Sequence, residues 1–411
     1  MDTRATAAES LWRSTEFRAY MAATGFTSFA FSMQQLLTNV LFIDELDASA
    51  AQVGVAQAVI GLPGLVLMLW GGANADRVDG RALLVRMYAL MALPSLLLAF
   101  VCWAGALQFW TVVAWALVIS VCNSVASPAL QAMLNRICGS QVQQGVTTST
   151  IIGFVVQIGG LLLAGQVDAL GAALVLLLQA GFVAVGSGMI TRLSPAPVPA
   201  AAGDAPSSTL ANIRAGLLAV WNDRVMLNVM SLNFLSMLFN AGAFTIVFPF
   251  LILKAYAGEP HFLAVMMAVF FAGATASNFL LLAFMPIRRL GRLFLLMQLT
   301  RIVVLLGLWF QPGPVLLALF TFLWGVNMGI TSTTSRAIVQ ELAAPAFRGR
   351  VMSVLNLGFL GAAPFAALML GSVVEWVGPV HALLPGVVAS VVIFGYGVLR
   401  TPIWTHESPH A

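Results

Sequence analysis

Runs of mostly apolar residues, each near the roughly 20 that an α-helix needs to cross the hydrocarbon core of a bilayer, recur along almost the whole chain. They cover Ala19 to Ile43, Gln52 to Ala73, Ala82 to Gly105, Phe109 to Asn135, Val146 to Gln166 and Leu170 to Thr191. Six more follow, at Asn222 to Leu253, His261 to Met285, Leu293 to Phe310, Val315 to Leu342, Val351 to Val373 and Val380 to Leu399. Only 8% of the 411 residues are charged and 60% are hydrophobic, where a soluble domain carries about a quarter charged residues. A water-soluble globular fold is excluded. The spacing predicts an all-α polytopic membrane protein with twelve transmembrane helices in two six-helix halves.

Between the sixth and seventh runs, Pro195, Pro197, Pro199, Gly203 and Pro206 interrupt any helical period, because proline removes a backbone donor and fixes φ. The expected organisation is an N-terminal segment at 1–18, a six-helix half at 19–192, a central linker at 193–221, a second half at 222–400 and a tail at 401–411. The first nineteen residues are polar and mixed in charge, with no small-residue cleavage site after a short apolar core, so no removable signal peptide is expected.

Orientation follows from Lys and Arg, which are retained in cytoplasmic loops. Arg77, Arg81 and Arg86 follow the second run, and Arg136 follows the fourth. Arg192, Arg214 and Arg224 surround the linker, Arg288, Arg289 and Arg292 follow the eighth run, Arg348 and Arg350 the tenth, and Arg400 the last. Of the 19 basic residues only Lys254 falls on an outer connection, whereas Asp44, Glu45, Asp47, Asp168, Glu259 and Glu375 are there. Both termini are therefore expected in the cytoplasm. The formal charge of +4 is spread over many short loops and forms no nucleic-acid footprint. Cys102, Cys122 and Cys138 lack ligand or disulfide spacing, and His261, His381, His406 and His410 form no metal or base motif with a neighbouring acid. No enzyme, metal site or cofactor is expected.

An internal repeat supports the two halves. NSVASPALQAMLNRICGSQVQQG from Asn123 and NMGITSTTSRAIVQELAAPAFRG from Asn327 stand at an offset of 327 − 123 = 204, and the same offset relates Gly145 to Gly349. Parallel duplicated halves are the arrangement in which a binding site lies at their interface.

After the second run comes Gly71-Gly72-Ala73-Asn74-Ala75-Asp76-Arg77-Val78-Asp79-Gly80-Arg81, a small-residue helix end followed by a compact charged turn. It resembles the signature loop of the major facilitator superfamily, with Gly72, Asp76, Arg77, Gly80 and Arg81 at the matching places. The Ala-Asp-Arg-x-x-x-Arg form, the Phe347-Arg348-Gly349-Arg350-Val351-Met352-Ser353 loop and Pro63 in the second run resemble, more narrowly, the enterobactin-exporter and macrolide-efflux branch. The resemblance implies the major facilitator fold and efflux by alternating access. It also implies a cytoplasmic charge network in which Asp76 accepts hydrogen bonds from Arg77, Arg136 and a helix N-terminus; Arg350 joins the same candidate gate. The alternative is that these arginines only fix topology.

Polar side chains inside spanning helices face a cavity or another helix. Thr24, Ser28, Ser32, Gln35 and Asn39 form one stripe on the first run, and Asn123, Ser127, Gln131 and Asn135 form another on the fourth. The seventh offers Asn233, Ser236 and Asn240, and the tenth offers Asn327, Thr331, Thr334 and Ser335. The resemblance implies that these four helices line the central cavity. Ser and Thr also bond their own helix carbonyls, so a stripe alone does not distinguish the two roles. Phe29, Phe31, Phe234, Phe239 and Trp324 are candidates for stacking on a flat substrate, or simple packing residues.

No carboxylate sits at the middle of any run. Asp44 and Glu45 at the outer end of the first are candidates for energy coupling or plain solvated charges. Arg301 lies nine residues beyond Arg292, roughly 13 Å into its helix, and a cation at that depth needs a partner or a function. Gly153, Gly159, Gly160 and Gly165 occur without the Gly-Pro of many drug antiporters, and Ser120, Asn123, Ser124 and Ser127 occupy the stretch where such proteins carry an Arg. The expected function is a monomeric, proton-driven antiporter of the bacterial inner membrane that exports a small siderophore-like or antibiotic-like substrate. The alternatives are an importer of the same fold and a transport-inactive receptor.

Overall fold

The computed structural model describes residues 11–71, 79–195, 209–284, 287–343, 348–405 and 407. Twelve apolar helices follow one another among them: α1 (Thr15–Val40), α2 (Ala50–Gly71), α3 (Gly80–Trp103), α4 (Phe109–Cys138), α5 (Val142–Ala164), α6 (Ala172–Ile190), α7 (Arg224–Gly242, continuing to Ala255), α8 (Pro260–Ala283), α9 (Leu290–Trp309), α10 (Pro314–Leu342), α11 (Arg348–His381) and α12 (Leu384–Arg400). Nine described helices are long and apolar enough to cross a bilayer, while α2 and α12 contribute shorter apolar stretches. α1 is less apolar than these because Thr24, Ser28, Ser32, Gln34, Gln35, Thr38 and Asn39 interrupt it.

Local chemistry sets several ends. Ser14, Asp79 and Asp223 accept backbone N–H bonds at the N-termini of α1, α3 and α7, as short polar caps do. The helical run continues past the expected Val373 and is kinked at Gly378, at φ 78, and α12 starts at Leu384 and not at Val380.

The two halves repeat one packing scheme. α1 packs on α5 and α6, and α3 on α4 and α6. Six helices later, α7 packs on α11 and α12, and α9 on α10 and α12. A finer match sits at the helix ends. α1 finishes in a π turn, Leu41–Glu45, and α7 finishes in a π turn, Leu251–Ala255, an offset of 251 − 41 = 210. Two residues past each turn the chain takes a positive φ, 46° at Asp47 and 47° at Ala257, and the next helix begins at Ala50 and Pro260 respectively.

Alanine has no polar side chain to offset the Cβ crowding of that conformation, which costs about 1 kcal/mol or more. Ala257→Gly is expected to stabilise the protein by about 1 kcal/mol, a rise of about 2 °C in the melting temperature in detergent. Asp47→Gly should gain less, because Asp tolerates this region. A lower melting temperature for Ala257→Gly would contradict the assigned strain.

Two compact units can be drawn. One holds 1–47, 66–206 and 260–265, the other 48–65, 207–259 and 266–411. They differ from a simple division at the linker by an exchange. The first part of α2 lies in the second unit, where Gly54 meets the backbone of Ala367 and Gly371, Gly61 meets Pro364, and the Ala51 N–H donates to Glu375 Oε2 at 3.3 Å. The first turn of α8 lies in the first unit, where Ala264 fills the space beside Gly165 and Gln166 Nε2 is 3.0 Å from His261 Nδ1. Small residues permit such close backbone approach.

The stretch expected as linker contains a helix at Thr209–Asn222, which packs along α11 and sets Gly216 against the Arg350 carbonyl. Its Val220 joins a buried cluster with Met226, Val229, Leu295, Ile338 and Ile393.

Candidate functional site

Each unit holds its own polar cavity. In the first unit a cavity of about 330 Å3 is lined by Ser28 and Ser32 of α1 and Asn123 of α4, all from the expected stripes. It also takes Tyr88 of α3, Gln157 of α5 and Gln179 of α6. Thr24, Gln34 and Gln179 also border it, and their Oγ1, Oε1 and Oε1 atoms are buried without a hydrogen-bond partner. Buried polar atoms are normally satisfied, so these stand out. No charged side chain lines this cavity.

The stripes are only partly gathered there. Ser32 Oγ donates to the Phe29 carbonyl at 2.8 Å while still lining the cavity. Asn39 is buried, its Nδ2 donating to the Gln35 carbonyl at 2.9 Å, and neither it nor the half-buried Gln35 lines the cavity. Ser127 and Gln131 are exposed in the first unit and also lie outside it.

The second unit has a smaller cavity of about 90 Å3, bounded by Asn233, Ser236 and Asn240 of α7, Arg301 of α9 and Thr331 and Ser335 of α10. Arg301 is 2% exposed. Its Nε and Nη2 each donate to Asn327 Oδ1 at 3.3 Å, and its Nη1 donates to Ser236 Oγ at 2.9 Å and to the Ser236 carbonyl at 3.3 Å. The Asn327 amide is oriented from behind, its Nδ2 donating to the Met297 carbonyl at 2.6 Å and to Thr300 Oγ1 at 2.7 Å. Asn240 Oδ1 accepts from Trp324 Nε1 at 2.8 Å. Trp324 itself is fully buried, edge-on to Phe244, Phe248 and Phe270, so it packs and offers no free face.

Of the signature loop, Gly72, Asp76 and Arg77 lie outside the described residues. Gly80 and Arg81 open α3, and the Arg81 guanidinium donates to the Thr191 carbonyl at the end of α6. Arg136 donates to the Ser194 carbonyl at 2.9 Å, and Glu16 accepts the Ser194 N–H at 2.9 Å. Cations at a helix C-terminus complement its dipole, so Arg81 caps α6, whereas Arg136 ties down the chain just beyond it. Arg350 is exposed on the first turn of α11. Asp44 and Glu45 are exposed on the π turn that ends α1.

Residues missed from sequence include Gln34, Tyr88, Gln157 and Gln179 in the first cavity, and Met237, Phe294, Met328 and Phe359 in the second. The three glutamines carried a usable signal, since an amide within a spanning helix is costly without a polar neighbour. The apolar residues carried none.

A family model described as Major Facilitator Superfamily matches residues 20–367. No curated protein sequence matches the chain. Among solved structures, the nucleoside transporter NupG is similar with a TM-score of 0.76 at 14% identity, covering 94% of this chain and 98% of its own. A D-xylose-proton symporter gives a TM-score of 0.67 at 11% identity, covering 92% and 97%. A bacterial homologue of the human lysosomal transporter Spinster gives 0.66 at 12%, covering 95% and 96%. At these identities the likeness is one of fold.

Proposed function

The chain belongs to the major facilitator superfamily, and from that premise we propose that it is a proton-driven exporter of a small amphipathic molecule, acting by alternating access in a bacterial inner membrane. The observation that carries a cargo of this kind is the uncharged polar cavity of about 330 Å3 with its unpartnered threonine and glutamine oxygens. Its size matches a small organic molecule, and its wall offers hydrogen bonds without charge. Export as the direction, protons as the coupling ion and a working monomer are supported by the exporter-branch form of the loop sequences.

The test is a deletion strain challenged with a panel of amphipathic antibiotics and siderophores, followed by efflux assays in energised cells. The deletion should sensitise the strain, and a protonophore should abolish efflux. A deletion that leaves every sensitivity unchanged but impairs growth on a sole carbon source would replace export by import.

Within this reading the signature acid is a gate residue. Asp76→Asn should lower the initial efflux rate by roughly tenfold, about 1.4 kcal/mol, the size expected for one charge-assisted hydrogen bond. Membrane abundance, followed by immunoblot, should stay at the wild-type level. Unchanged efflux in that variant would remove Asp76 from the gate.

A further inference from the structure

Arg301 is a cation buried among neutral groups. Ser236 and Asn327 supply hydrogen-bond acceptors but no negative charge, and among the described residues no carboxylate forms an ion pair with it. A hydrogen-bonded guanidinium still lacks a counter-charge, and buried ions are normally paired. Beside it lies the cavity of about 90 Å3. Three other side chains on its wall have buried polar atoms without partners: Asn233 Oδ1, Thr331 Oγ1 and Ser335 Oγ. Those residues are 4%, 8% and 2% exposed. Both hydroxyls can turn to donate, and so can the Asn233 amide once its interchangeable O and N are exchanged.

The cavity is thus bordered by a fixed positive charge and by three side chains whose buried polar atoms lack partners. Ser332 and Asn240 also border it, and Met237, Phe294, Met328 and Phe359 form its apolar side. We infer that this cavity is a subsite for the carboxylate of the transported molecule, with the apolar carbons next to that carboxylate lying against the methionine and phenylalanine side chains. The charge count selects the ligand: one guanidinium balances a monoanion, whereas a dianion would leave a net negative charge in a poorly hydrated interior. Four of the five guanidinium N–H groups are already taken by Asn327 and Ser236, so the pairing with a carboxylate is one of charge, with a single Nη2 N–H left to donate. The volume admits the head group and the first carbons, not a whole drug-sized molecule.

The inference rests on the transporter assignment above and names the cargo as an amphipathic monocarboxylic acid. It is tested by binding in place of flux. Purified full-length protein in detergent is melted with octanoate, with octanamide as the uncharged isostere, and with chloride. Octanoate should raise the melting temperature by several degrees with saturation, while octanamide and chloride should do so at least tenfold more weakly. Arg301→Met should abolish the octanoate shift. If that variant does not fold, Thr331→Val and Asn233→Leu keep the guanidinium and its four bonds, and each should weaken the apparent affinity for octanoate about tenfold. An equal shift with octanamide or chloride, or an undiminished shift in these variants, would overturn the inference. Export of a neutral compound by protein that takes up no octanoate would overturn it too while leaving the transporter assignment intact. Octanoate binding without flux would uphold the subsite and count against that assignment.

Discussion

Valine at position 325 is expected to eliminate the folded protein. Gly325 of α10 lies directly on the backbone of α8, and a Cβ there would collide with the Phe270 carbonyl oxygen. The contact is built from both sides, because a Cβ on Gly273 would collide with the Phe322 carbonyl, and one turn along α10 Gly329 meets Ser277 Oγ. Glycines four apart on one helix face are what allow two helix backbones to touch. No side-chain rotation relieves a collision with a carbonyl, so α8 and α10 must separate. That also disturbs the stacking of Phe244 on Phe270, whose centroids are 4.0 Å apart, and the edge contact of Phe270 with Trp324 at 5.5 Å. Overpacking costs about 1–3 kcal/mol where side chains can adjust, and aromatic pairs contribute about 0.5–1.5 kcal/mol each. A combined loss above roughly 3 kcal/mol is a large part of the 5–15 kcal/mol typical of a folded protein. Gly325→Val fused to a fluorescent reporter should lose its monodisperse size-exclusion peak. Gly181→Val, at a glycine with open space around its Cβ position, should keep it. A wild-type peak for the Gly325 variant would show that the helices part at little cost.

The second large effect concerns the amide that serves Arg301. Asn327→Leu removes the acceptor for Nε and Nη2 and leaves the guanidinium buried with only its Ser236 bonds. Breaking a buried charged network from one side costs about 3–5 kcal/mol. Replacing the network as a whole by apolar groups of similar size is often close to neutral. Asn327→Leu alone should therefore lower the melting temperature by roughly 10 °C, using the conversion of about 2–4 °C per kcal/mol. The double variant Arg301→Met with Asn327→Leu should recover most of that loss. A double variant less stable than the single one would mean that the pair holds α9 to α10 by more than charge satisfaction.

Most of the helical framework could be read from the chain because the apolar runs are long. The runs placed most helix boundaries to within a few residues, while the caps at Asp79 and Asp223 emerged only from the structure. The helix at Thr209–Asn222 was not visible, since its mixed composition follows a proline-rich stretch and its packing surface lies on α11. The matched π turns were hidden too, because an extra residue in a turn leaves an apolar run unchanged. At the sites, single-helix periodicity found the stripes but not their partners. It could not place Asn327 and Ser236 around Arg301, nor bring Gln157 and Gln179 to one volume with Ser28. Those relations join helices far apart in sequence. Arg81 and Arg136 belong to the same class: their sequence spacing shows position, whereas the carbonyls they serve at and beyond the end of α6 are known only from packing.

Each half repeats the other's helix neighbours, yet one carries an uncharged hollow and the other a hollow with a cation in its wall. The same framework of helix contacts is thus compatible with two different electrical interiors, so the residues that set the charge of one hollow can be altered without changing which helices touch.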